Sequence, residues 1–281
     1  MSLPVRVVLV RGSGDVGSGV AHRLFSSGDA VVIHEVALPA APRRGMAFTD
    51  AVFDGECELA GVTARRVDEL ADLAAALAER SAVPVTTLDL AAVLSATQPD
   101  VLIDARMRKR TQPERQLELA PLTIGLGPNF VAGETTHLAI ETIWGDDLGR
   151  VISSGPTQAL TGEPRSFAGH ARDRFVYAPV AGVLRTAALV GQLVRRGEAV
   201  ATIEREELSA PLDGILRGLT HDGVPVEVGT KVVEVDPRGE LQAVIGLGPR
   251  PRRIAEGVLA AIEHGAPEPV SEVRGEPRDT R

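Results

Sequence analysis

The apolar positions of the chain fall into two regimes, an alternation of strands and helices followed by strands alone. Residues 5–10, Val-Arg-Val-Val-Leu-Val, read as a short buried strand. The spacing of Val20, Ala21, Leu24 and Phe25 predicts a helix that closes at Gly28 and Asp29. Residues 30–36 read as a second strand, and the crossover through a helix makes the two strands parallel. After a loop rich in Pro and Arg comes an expected hairpin, 56–60 with 62–67 across Gly61. The alternation then resumes with an Ala/Leu-rich helix at 68–80, strands at 83–87 and 100–104, and a short helix near 89–97. Further strands are expected at 122–124, 138–143 and 150–153.

Residues 155–173 carry Gly, Pro and Thr without a period and read as a linker, and helical spacing is lost until about residue 251. The expected fold is therefore α/β over 1–155, a Rossmann-like, mostly parallel sheet, followed by an all-β domain over 174–236. A C-terminal segment with a helix spans 237–264, and a disordered tail is expected over 265–281. In that last helix Ile254, Val258, Leu259 and Ile262 share one side, which predicts a return onto the first domain. Arg250, Arg252 and Arg253 crowd its N-terminal end, a poor place for cations unless an anion or acidic side chain compensates.

The all-β region is a tandem repeat. Ala178-Pro-Val-Ala-Gly-Val-Leu-Arg185 aligns with Ala210-Pro-Leu-Asp-Gly-Ile-Leu-Arg217, and the match runs without a gap to Ile203 and Val235 at an offset of 32 residues. Gly191 pairs with Gly223 and Gly197 with Gly229, so glycines recur at turns while Val194/Val226 and Val200/Val232 recur at strand positions. Over 178–235 this pattern resembles the biotinyl/lipoyl barrel-sandwich family. Carriers of that family present a lysine on the hairpin between the halves, where this chain has Glu204-Arg-Glu-Glu-Leu-Ser209. No biotin or lipoate is expected; the region reads as a structural or docking module.

Composition narrows the function classes. The net charge of −8 argues against a general nucleic-acid binder, which needs a basic face. Cys57, the single cysteine, excludes an internal disulfide and a thiolate metal cage, and no metal site is expected. It reads as structural, in a cytoplasmic protein. Met1 leads into the first strand without a basic region or long apolar stretch, so neither a leader nor a membrane span is expected.

The candidate chemistry gathers at strand ends. Gly12-Ser-Gly14-Asp15-Val-Gly17 lies between a strand and a helix, as a dinucleotide-binding loop requires: glycines allow a tight turn and close approach of a pyrophosphate to backbone amides. Glu35, at the end of the second strand, is placed to accept hydrogen bonds from a ribose diol. Asp15 would repel a pyrophosphate if it pointed inward, and Arg11 is an unusual neighbour for such a loop. Asp104 ends another strand and precedes Arg106, Arg108, Lys109 and Arg110, cations suited to a ligand phosphate or carboxylate. Gly125, Gly127 and Asn129 follow a third strand, so three segments are expected to converge on one crevice. Asp104, Lys109, His137 and Glu141 are candidate proton-handling groups.

The order of these segments resembles the YqeB-type accessory family of selenium-dependent molybdenum hydroxylase systems. Carrying the resemblance are Val10-Arg-Gly-Ser-Gly-Asp15, Gly125-Leu-Gly-Pro-Asn-Phe130, Ala132-Gly133, His137, Ile140-Glu-Thr142, Leu148-Gly-Arg-Val-Ile152 and Ala178-Pro179. The resemblance implies a cytoplasmic factor that helps mature a molybdenum hydroxylase, with that enzyme or its cofactor-maturation proteins as partners. A nucleotide, NAD(P) or molybdopterin dinucleotide would then occupy the glycine loop. Two other readings stay open: an NAD(P)-dependent oxidoreductase and a non-catalytic scaffold. A homo-oligomer is also left open.

Overall fold

The computed structural model describes residues 5–108, 111–160, 162 and 164–264. The fold is mixed α/β, with a large sheet of parallel and antiparallel strands and a C-terminal helix. Its strands are β1 (Val7–Arg11), β2 (Ala30–His34), β3 (Glu56–Leu59), β4 (Val62–Arg66), β5 (Val83–Thr86), β6 (Val101–Asp104), β7 (Leu122–Leu126), β9 (Leu138–Ile140) and β10 (Val151–Ile152). A separate two-residue strand, β8 (Val131–Ala132), pairs with β11 (Gly155–Pro156). The helices are α1 (Asp15–Ser26), α2 (Ala51–Asp54), α3 (Leu70–Glu79), α4 (Leu90–Thr97) and α5 (Pro249–His264).

Strand order across the large sheet is β10-β9-β7-β6-β1-β2-β5-β4-β3. From β9 to β4 all neighbours are parallel; β10 and β3 close the two edges antiparallel. The chain starts in the middle, at β1, moves outward to β2 and β5, and then returns to β6 on the other side of β1. In open α/β sheets a reversal of this kind, here at the carboxyl ends of β1 and β6, is the general place for a ligand crevice.

Alternation along the central strands feeds two cores. Val8 and Val10, Val31 and Ile33, and Val101 and Ile103 face α1 and α5, while Leu9, Val32 and Leu102 face α3 and α4 through Leu73, Leu77 and Val93. Burial on both faces is why these strands read as unbroken apolar runs. Helix α5 packs closely on α1: a Cβ at Gly19 would lie 2.7 Å from Pro251 Cβ, and one at Gly257 would overlap the Gly149 carbonyl.

The strand expected over 138–143 ends at Ile140. Glu141 folds its carboxylate back to accept from the amides of Thr142 and Ile143, withdrawing them from any ladder. The span expected as a linker, 155–173, begins in a strand and ends in a turn. Gly155–Pro156 form β11, and the 3₁₀ turn Arg172–Arg174 runs one residue past the span to Arg174, which is buried and bonded to Glu234.

The repeat forms β12 (Phe175–Tyr177), β13 (Gly182–Arg185), β14 (Leu193–Val194), β15 (Ala199–Ile203), β16 (Glu206–Ser209), β17 (Gly214–Leu219), β18 (Pro225–Val226) and β19 (Lys231–Asp236). They make two four-stranded sheets, β12-β19-β17-β14 and β16-β15-β13-β18. Exchanging the halves of the repeat converts one order into the other, so each half lends strands to both sheets. The turns obey the same symmetry: φ is +85° at Gly197 and +79° at Gly229, a left-handed conformation that favours glycine. The β13–β19 region packs against the loop after β2, where Leu219 N donates to Pro42 O at 2.7 Å. Phe53 stacks on His221 with ring centroids 3.9 Å apart.

Candidate functional site

The glycine loop sits at the carboxyl end of β1 and opens α1. Gly12 has φ +107°, and a Cβ there would press on the Ala105 and Arg106 backbone at 3.1 Å; a Cβ on Gly17 would overlap the Gly12 carbonyl. Both are glycine for internal reasons. Gly14 is different: its φ of −66° suits any residue, and nothing lies within 4 Å of where its Cβ would be. The loop is braced from below, because Ser13 O accepts from the Ser18 and Thr49 hydroxyls, each at 2.7 Å.

Glu35 is bonded to this loop. Its Oε2 accepts from Ser13 N at 2.6 Å and Ser13 Oγ at 2.8 Å, and Oε1 accepts from Val36 N at 2.8 Å. A carboxylate offers about four acceptor positions. A ribose diol would thus share Glu35 with the loop that it fastens.

Asp15 turns away from the loop's open side toward Arg43, whose Nη1 donates to its Oδ2 at 2.8 Å. The other two guanidinium nitrogens of Arg43 donate to Glu234 on β19. Glu234, fully buried, also accepts from Arg174 Nη1 at 3.0 Å and Lys231 Nζ at 3.1 Å. Burial would raise the Glu234 carboxyl, but Arg43 and Lys231 overcome it and hold it well below the usual range. Burial, reinforced by Arg43, pushes the Lys231 ammonium down to about 8.

A second charged cluster fills the reversal point. Asp104, at the end of β6, accepts from Arg106 through both carboxylate oxygens and from Gln116 Nε2 at 2.8 Å. Arg11, paired in register with Asp104, donates from Nη1 to Glu114 and Gln116, each at 2.9 Å. The Arg11 side chain is 8% exposed, and its Nε–H is buried without a hydrogen-bond partner. Leaving such a donor unsatisfied costs about 1–3 kcal/mol. Burial, then the neighbouring Arg106, lowers the Arg11 pKa.

The loops after β7 and β9 meet at the same carboxyl ends of the strands. Gly125 is glycine because a Cβ would overlap the Phe130 ring; a Cβ on Gly127, with φ +102°, would sit 3.3 Å from Met107 Sδ and 3.4 Å from Thr142 Oγ1. Asn129 has φ +74° and donates from Nδ2 to Thr111 O at 3.3 Å. Arg250, at the start of α5, donates from Nε to Thr142 O at 2.8 Å. Burial lowers its pKa while nearby Asp15 raises it.

Of the candidate proton-handling residues, His137 is placed elsewhere. His137 precedes β9 and so lies at the amino ends of the parallel strands, the opposite edge of the sheet from the glycine loop. Its Nδ1 accepts from Thr123 N at 3.0 Å. Glu141 is fully engaged by backbone, since Oε2 also accepts from Gln158 N at 2.8 Å. Asp104 is at the reversal point but ion-paired, and Lys109 lies outside the described residues, as do Arg110 and the tail from 265. Burial pushes the Cys57 thiol up to about 11, so the side chain is a neutral packing group. Among the described residues no group of three His, Cys, Asp or Glu side chains is placed to hold a metal, and no helix is long and apolar enough to cross a membrane.

Sequence reasoning passed over Arg43, Glu114, Gln116 and Glu234, and treated Arg11 only as an oddity. Two signals pointed to them. Arg11 ends an otherwise apolar buried strand, and Lys231 and Glu234 stand where the first half of the repeat has Ala199 and Thr202.

Among curated proteins the chain matches the uncharacterized protein YqeB of Escherichia coli (strain K12), 41% identical over 257 residues, 92% of this chain. Over that span the chain is similar to YqeB. It spans about half the length of that relative, 47%. No family model matches. Among solved structures it resembles a succinylglutamate desuccinylase/aspartoacylase from Rhodobacter sphaeroides, 19% identical over 51% of this chain and 59% of that one, with a TM-score of 0.22. An aspartoacylase family protein from Mesorhizobium loti is 10% identical over 83% and 85% of the two chains, with a TM-score of 0.24. Such scores carry no argument about fold or activity.

Proposed function

We propose that this chain is a YqeB-type accessory factor in the maturation of a molybdenum hydroxylase. Its first domain is Rossmann-like and takes a nucleotide, or the dinucleotide form of molybdopterin, at the Gly12–Gly17 loop. The carrying observation is Gly14, a glycine that neither backbone conformation nor packing requires, facing open space at the amino end of α1. Glycine is common at a helix N-cap, the place Gly14 holds on α1; with no side chain it also lets a ligand approach the backbone closely, and the helix end favours an anion.

The strand order β5-β2-β1-β6-β7-β9, all parallel, supports the Rossmann-like reading. The exchange symmetry of the two small sheets supports a barrel-sandwich reading of 174–236. Its turn between β15 and β16 carries Glu204 and Arg205 with no lysine, which favours docking of a partner over carriage of a prosthetic group. The hydroxylase role, its selenium-dependent type and a cytoplasmic location rest on the segment resemblance alone.

Calorimetry of the purified chain with NAD, NADP, cytidine nucleotides and molybdopterin dinucleotide tests the proposal. Saturable binding of one of them is expected. Failure of all of them to bind would overturn the site.

A further inference from the structure

We infer that Arg11, Arg106 and Arg108 form the receptor for a doubly charged phosphoryl group, and that Glu114 occupies it as an internal stand-in. The inference takes the crevice proposed above as the ligand site and adds the chemical class of the group bound at its β1–β6 end.

Glu114 is a half-exposed loop glutamate, yet it is gripped by three guanidiniums. Its Oε1 accepts from Arg11 Nη1 at 2.9 Å and from Arg106 Nη2 at 2.5 Å, and its Oε2 accepts from Arg108 Nη2. Surface ion pairs between long side chains seldom hold such geometry without a further reason. The cluster's other carboxylate, Asp104, is already matched by Arg106 and Gln116. Arg11 and Arg108 therefore have Glu114 as their only carboxylate partner among the described residues. With Glu114 rotated away, three guanidiniums face one carboxylate, an excess of two positive charges. A phosphate monoester dianion carries that charge and supplies three acceptor oxygens in place of two.

Arg11 shows that the site is built rather than incidental. It is nine-tenths buried at the end of a strand whose preceding residues are aliphatic, and its Nε–H has no acceptor. A guanidinium removed from water needs an anion with good geometry, and an exposed loop glutamate is a replaceable one. The site adjoins the glycine loop, because the Arg106 backbone meets the space beside Gly12. A ligand with a backbone-bound pyrophosphate and a terminal phosphate would reach both.

The test is calorimetric titration of the full chain with inorganic phosphate, at constant ionic strength and pH 7.5, comparing wild type, Glu114→Gln and Glu114→Gln/Arg108→Gln. Neutralising Glu114 removes the competitor, so phosphate is expected to bind about tenfold more tightly. Adding Arg108→Gln is expected to reverse that gain. Equal or weaker phosphate binding by Glu114→Gln overturns the inference, as does a gain that survives Arg108→Gln. The two proposals fail separately. A nucleotide whose binding is lost in Gly14→Val, together with no phosphate gain in Glu114→Gln, leaves the crevice standing and removes this receptor. A phosphate gain with no nucleotide bound by any variant does the reverse. Both substituted residues are solvent-accessible, and matching melting curves confirm that each variant is folded.

Discussion

Arg43, on the loop that follows β2, grips the buried carboxylate of Glu234 on β19 with two hydrogen bonds of 2.9 and 3.1 Å. Its third nitrogen holds Asp15 at the start of α1, so one guanidinium ties the glycine loop to the β repeat. The repeat's symmetry is broken at this contact. Glu234 and Lys231 correspond by the 32-residue offset to Thr202 and Ala199, which face solvent in the other sheet. One sheet therefore carries a charged, buried face against Arg43 and the start of α1, and its twin does not.

Removing the Glu234 charge strands Arg43, Arg174 and Lys231 together. Glu234→Gln is expected to lower stability by about 3–5 kcal/mol, the range for breaking a buried ion pair from one side. Urea denaturation followed by circular dichroism measures this. A loss below ~1 kcal/mol would show that the cluster is hydrated and weak.

Lys231 gives a pH signature. Burial, with Arg43 adding to it, pushes its ammonium to about 8 from the usual 10.5. Between those values the unfolded chain holds a proton that the folded chain has released, so this group adds stability as pH rises through the window. Below pH 8 both states are protonated and the contribution is flat. Lys231→Met should remove the rise, seen as a flatter plot of denaturation midpoint against pH from 8 to 10. On the acid side Glu234 has the opposite sense. Its carboxyl is held low despite burial, so its stabilisation is complete above the usual glutamate range and fades as pH falls.

The loop glycines should separate by stability. Gly17→Ala drives a Cβ into the Gly12 carbonyl, an overpacking expected to cost ~1–3 kcal/mol or more. Gly14→Ala meets open space in an ordinary conformation and should stay within ~1 kcal/mol of wild type. Thermal melts of the two variants settle the contrast. Equal losses would mean that Gly14 is structural too.

Cys57 should be inert. With its thiol near 11, alkylation by iodoacetamide at pH 7.5 is expected to run about a hundredfold slower than that of a free thiol of ordinary pKa. Rapid labelling of the folded chain would contradict a packing role.

Much of the architecture was legible because it rests on local pattern. The apolar runs of β1, β2 and β6 and the glycines of the first turn define the central crossover, and the repeat declares itself by identity at a fixed offset. The boundaries that failed had causes distant in the chain. Glu141 ends β9 by bonding amides of its own loop and of Gln158, and Arg174, just past the segment expected as a linker, reaches Glu234. In sequence Asp15 stands beside the loop as a charge repulsive to a pyrophosphate, and only the fold brings Arg43, 28 residues away, to neutralise it. His137 could have been placed from sequence, since it precedes its strand and a parallel sheet carries its crevice at the other end.

The central claim is that Gly14 is glycine to admit a ligand. Titration of wild type and Gly14→Val with the nucleotide that binds best, each variant first shown to melt like wild type, tests it most directly. Loss of binding in a fully folded Gly14→Val is the predicted result. Unchanged affinity would place the ligand elsewhere and contradict the account.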